Sequence, residues 1–148
     1  MSDAVDPLFA WIEATALARV IAESLTLTAT VSAVHLLGFT LVMGGALVGN
    51  LRLLGWLLPH AAADQLLRPC NRAIVIGLAI SVATGALLFA ARATAVGANG
   101  TFQLKMLLLL GAAAFHFAYA ARARVGAGVS LALWLALAVT ACAFILLE

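Results

Sequence analysis

The sequence predicts an all-α fold: an integral membrane four-helix bundle preceded by a short amphipathic interfacial helix. Three observations carry that prediction. Of the 148 residues, 66% are hydrophobic and only 9% are charged, whereas soluble domains carry about 25% charged and 45–50% apolar residues. A soluble fold of this size could not cover so much apolar surface with so few charges. The four longest runs free of Asp, Glu, Lys and Arg are Ser24–Leu51, Ala73–Ala91, Met106–Ala121 and Val125–Leu147. Each approaches or exceeds the ~20 residues that cross a ~30 Å hydrocarbon core, once an edge lysine or arginine snorkels to the headgroups. The basic residues cluster at the edges of these runs, where the orientation of a membrane protein is set. The chain is expected to be one transmembrane domain, 1–148.

The elements follow in order. Asp6-Pro7 is a helix start, a carboxylate cap before proline at the first helical position. Leu8, Trp11, Ile12, Leu17, Val20 and Ile21 then recur at steps that fit an amphipathic helix over 7–23 lying in the interface, with Trp11 at headgroup depth. The alternative is a soluble extension of the first span. An N-terminus that opens with Asp3 and Asp6 is acidic where a signal peptide is basic, so the first span is expected to drive insertion. That span is expected over 26–58, stopped by Pro59. The second is expected over 71–91. A turn containing Asn99-Gly100 follows, with Thr101 as the cap of a third span over 102–121. Gly126 and Gly128 make a short connection to the fourth span, 129–147.

Five arginines (Arg52, Arg68, Arg72, Arg122, Arg124) fall on the connections between spans 1–2 and 3–4. Three basic residues (Arg19, Arg92, Lys105) fall on the other side, with Asp3, Asp6, Glu13, Glu23 and Glu148. This excess predicts both termini on the outer side of the membrane.

Small residues mark the packing faces. His35, Gly38, Val42, Gly45, Gly49 and Arg52 share one face of the first span, and Gly77, Ser81 and Gly85 make a ridge on the second. Such ridges let a helix or a flat ligand come close.

The chemistry concentrates in two histidines. An imidazole inside a span is costly and marks a functional-site hypothesis. His35 and His116 could be imagined as axial ligands of one b-type haem. His35 lies 17 residues before Arg52, ~25 Å along a helix, and His116 lies 6 residues before Arg122, ~9 Å. The two spans run in the same direction, so these depths differ by ~16 Å and two separate clusters fit better. At the level of His35 stand Lys105 and Met106, about 100° apart around their helix, so only one faces it. Met106 would give a His/Met pair suited to Cu(I) or haem iron. Lys105 would give a basic pocket suited to an anionic or quinone-like head group. His116 could meet Cys70 or His60 in a weaker metal site. The blander reading for each is a hydrogen bond to a neighbouring helix, from Ser81 or Thr84 for example.

Hydrolytic chemistry and proton transport by a carboxylate relay are disfavoured. No carboxylate lies inside the bundle to make an acid–base pair, no Ser-His-Asp set can be assembled, and no phosphate loop or His-Glu-x-x-His appears. Catalytic residues are therefore not assigned. Cys70 and Cys142 form no pattern and read as buried apolar thiols. A net charge of +2 is too small and dispersed for nucleic acid. The partners expected are the lipid bilayer and either further copies of the chain or a larger membrane complex.

The stretch Ala33-Val-His-Leu-Leu-Gly-Phe-Thr-Leu-Val-Met-Gly-Gly, then Leu51-Arg-Leu-Leu-Gly, Thr84-Gly-Ala-Leu-Leu-Phe, Phe102-Gln-Leu-Lys-Met and Phe115-His, resembles a family of small bacterial inner-membrane proteins of unknown function. More distantly it is similar to the membrane domain of copper resistance D-type proteins. The resemblance covers nearly the whole chain and implies a four-helix bundle in the bacterial inner membrane. His35, Gly38, Arg52, Gly85, Lys105 and His116 match its polar or glycine positions. It brings no activity, and the Met- and His-rich segments common in copper handling are absent.

Overall fold

The computed structural model describes residues 7–60, 62–120 and 122–147. Among them the chain is all-α, with helices α1 Pro7–Glu13, α2 Ala16–Glu23, α3 Leu25–Leu54, α4 Ala63–Ala91, α5 Ala93–Gly97, α6 Gly100–Tyr119 and α7 Arg124–Leu147. Helices α3, α4, α6 and α7 are long and apolar enough to cross a membrane, and the chain is a multi-pass membrane protein. Asp6, Glu148 and the last residue of the expected third span, Ala121, lie outside the described residues.

The helix expected over 7–23 is two helices. Thr15 takes an extended conformation (φ −65°, ψ 146°) and its hydroxyl oxygen accepts from the Ala18 N–H, capping α2. The Arg19 guanidinium donates to the Ala14 carbonyl at 2.8 Å, filling an acceptor that the break leaves open. Helix α2 packs on α4 and α3 and buries Ala18 and Ile21. Ser24 caps α3, and the Thr28 hydroxyl donates back to the Ile21 carbonyl at 2.6 Å.

Four ends differ from expectation for local reasons. Helix α3 stops at Leu54 because Gly55 adopts the left-handed conformation (φ 80°), and Trp56 N–H closes the cap on the Leu51 carbonyl. Helix α4 starts at Ala63 and carries Pro69 within it; the proline forgoes one backbone hydrogen bond without ending the helix. Helix α7 starts at Arg124 because Gly126 fits against the end of α6, where a Cβ would stand 2.6 Å from the Tyr119 carbonyl oxygen. Asn99, not Thr101, caps α6: its side-chain oxygen accepts from Thr101 and Phe102 N–H.

The most extensive packing among the long helices is α3 on α4, then α6 on α7 and α3 on α7. Helices α4 and α6 meet only through side chains, Phe89 stacked on Phe102 at one end and Asn71 bonded to His116 nearer the other. Val42, Ala46, Ile74, Ala112, Trp134 and Leu137 form the buried core. Helices α1, α2 and α5 cap the end of the bundle where α3 begins. The Glu13 carboxylate accepts the Thr94 N–H and hydroxyl at the start of α5 (3.2 and 2.7 Å). Phe9 lies so close to Gly97 that a side chain there would meet its ring.

Candidate ligand site around His35

His35 projects from α3 ten residues past its start, ~15 Å down the helix from the capped end. Its Nδ1 lies 3.1 Å from the Thr84 hydroxyl oxygen on α4. That hydroxyl is held 2.6 Å from the Ile80 carbonyl oxygen. Its single proton goes to the helix carbonyl, so toward His35 the oxygen accepts and Nδ1 carries the hydrogen. A neutral imidazole protonated at Nδ1 presents a lone pair at Nε2, and no hydrogen bond uses Nε2 among the described residues. Ser81 supports the same turn by donating to the His35 carbonyl at 3.4 Å. Gly85 leaves room for the ring: a Cβ there would stand 3.1 Å from Cε1.

The other side of His35 borders a cleft of about 90 Å³, lined by His35, Leu36, Phe39, Lys105, Ala141 and Cys142. Of the two helix α6 candidates, Lys105 lines this cleft and Met106 does not. Lys105 also stands 5.7 Å above the Phe144 ring, a cation–π contact. The four spans contain no carboxylate except Asp64, at the far end of α4. The cleft therefore combines a donor cation, an imidazole acceptor and a thiol, drawn from three helices. Cys142, read from sequence as a buried packing thiol, is exposed and forms part of this wall. Only the meeting of α3 and α7 brings it there, and no spacing in the sequence signals it.

His116 is a different kind of residue. It is buried, with Nε2 3.2 Å from the Asn71 side-chain oxygen and Nδ1 3.0 Å from the Ser130 hydroxyl. An amide oxygen only accepts, so Nε2 donates and Nδ1 accepts from Ser130. Both nitrogens are spent on tying α6 to α4 and α7. Cys70 and His60 are not its partners: Cys70 packs against Gly45 and Gly49, and His60 is exposed. The α4 partners of the two histidines, Thr84 and Asn71, are thirteen residues apart, ~20 Å along the helix. One iron cannot take both. No group of three or more His, Cys, Asp or Glu able to hold a metal forms among the described residues.

The glycine ridges face each other. A Cβ on Gly38 would lie 2.7 Å from Ser81 Oγ, and one on Gly45 2.7 Å from the Cys70 carbonyl oxygen. Gly49 is looser, with its nearest neighbour at 3.5 Å. The ridges serve α3–α4 packing, so a flat ligand has no access to that face.

No protein-family model, no curated protein and no solved structure matches the chain.

Proposed function

We propose that this chain is a multi-pass protein of the bacterial inner membrane that holds the polar head of a small membrane-soluble molecule between His35 and Lys105. One observation carries the reading: an imidazole with an open Nε2 and a lysine amine line the same cleft inside the span region. An intramembrane histidine and lysine are costly unless they serve a site. The resemblance to small inner-membrane proteins supports the inner membrane, and the arginine-rich end formed by Arg52, Arg68, Arg72, Arg122 and Arg124 supports an orientation with the capped end toward the periplasm.

A haem or copper site is less well supported. His116 has no nitrogen to spare, and Met106 is outside the cleft. The reading as an accessory subunit of a larger complex loses the feature that motivated it, because Gly38, Gly45, Gly77 and Gly85 are used between α3 and α4 or against His35. A homo-oligomer or larger complex would use another face.

The test is chemical. Protein purified in mild detergent is extracted with organic solvent, and the extract is compared by mass spectrometry with that of the variant His35→Leu/Lys105→Met. A hydroxyl- or carbonyl-bearing small molecule enriched in the parent and lost from the variant is expected. A Soret band, stoichiometric copper, or identical extracts contradict the reading.

A further inference from the structure

The cleft at His35 is not alone on the α3/α7 seam. A second, larger crevice of about 290 Å³ runs along the seam of α3 and α7. Phe39 lines both spaces. From it the crevice descends past Met43, Gly44 and Leu47 on α3, and Leu131, Trp134 and Leu135 on α7. Apart from Thr40, whose hydroxyl donates to the Leu36 carbonyl, these walls are apolar. Thr40, Gly44, Leu47 and Leu135 are exposed, so the crevice opens toward the lipid. From His35 to Leu47 the seam spans twelve residues, ~18 Å. The cleft that holds the His35 imidazole and the Lys105 amine and this apolar crevice thus share Phe39 along one seam.

The polar end discriminates among heads. Nε2 of His35 accepts, and Lys105 donates. A phosphodiester offers oxygen acceptors only and leaves the imidazole lone pair facing another acceptor. A hydroxyl satisfies both, giving its proton to Nε2 and accepting from the Lys105 amine. Phe39 at the junction offers an aromatic neighbour to a ring placed there. We propose, building on the head-group reading above, that the α3/α7 seam binds a single-chain phenolic amphiphile of the prenylated-quinol class. Its hydroxyl lies between His35 and Lys105 and its chain lies against Gly44.

Cys142 reports on the occupant, because it lines the polar cleft and is exposed. Cys70→Ala protein in zwitterionic nanodiscs is alkylated with a maleimide under anaerobic conditions. The probes are a fully substituted benzoquinol with a ten-carbon chain, the same ring without the chain, and decanol. The chain-bearing quinol should slow alkylation saturably, and the chainless ring should do so more weakly. Gly44→Leu enters the crevice at a position where a Cβ meets nothing within 4 Å, and saturable protection by the chainless ring checks that the variant is folded. It should raise the half-saturating concentration of the chain-bearing quinol about tenfold, the effect of a few methylenes losing their burial, and leave that of the chainless ring unchanged. Protection by both rings that ignores Gly44→Leu overturns the chain placement and leaves the head-group reading standing. Equal protection by decanol overturns the phenolic assignment. Protection by no probe overturns this inference, while the extraction experiment decides the head-group reading separately.

Discussion

Gly38 of α3 and Gly77 of α4 stand back to back: a Cβ built on Gly77 would fall 2.5 Å from the Gly38 carbonyl oxygen. Two backbones meet there with no side chain between them. Gly77→Ala must therefore push the helices apart, at roughly 1–3 kcal/mol of overpacking strain. Gly45→Ala meets the Cys70 carbonyl oxygen at 2.7 Å and should be comparably harmful. Gly49→Ala makes ordinary contacts and should be nearly silent. Thermal melts in detergent check the order. Equal melting of Gly77→Ala and Gly49→Ala contradicts the packing described.

The two histidines should separate stability from binding. His116→Ala leaves the Ser130 hydroxyl without its acceptor in the core and costs about 1–3 kcal/mol, with a cavity contribution on top. His35→Ala removes a half-buried ring whose single partner, Thr84, keeps its own bond to the Ile80 carbonyl, so the melt should move much less. A larger loss of stability for His35→Ala than for His116→Ala would reverse the roles assigned to them.

Glu13 holds the cap. Its carboxylate bonds Thr94 N–H and hydroxyl across the chain and so ties α1 to α5. Glu13→Ala should speed hydrogen exchange in α1 and α5 while leaving the slow amides of α3 and α4 unchanged. Unaltered exchange in α1 would mean that the Phe9 contact with Gly97 alone fixes the cap.

The spans were legible in the sequence because uncharged runs of bilayer length admit few alternatives. Their ends were less so, since each is decided by a local choice that composition does not encode. Gly55 adopts a left-handed cap four residues before Pro59, and Pro69 is absorbed into α4. Of the site, His35 was legible from its cost inside a span, and Thr84 and Ser81 from their depth. Lys105 and Met106 could not be told apart, because a rotation of 100° about α6 depends on tertiary packing. Ser130, Asn71 and Cys142 were invisible as partners, because they arrive from other helices with no periodic signal.

His35 offers an unprotonated Nε2 to the cleft while His116 is consumed in the core, which requires opposite tautomers. Nitrogen-15 NMR of histidine-labelled protein in nanodiscs, in a His60→Asn background and at a pH where imidazoles are neutral, reads this directly. Nδ1–H is expected for His35 and Nε2–H for His116, and the benzoquinol probe should shift Nε2 of His35 and leave His116 unmoved. A His35 protonated at Nε2, or a probe that perturbs His116 instead, would contradict this assignment.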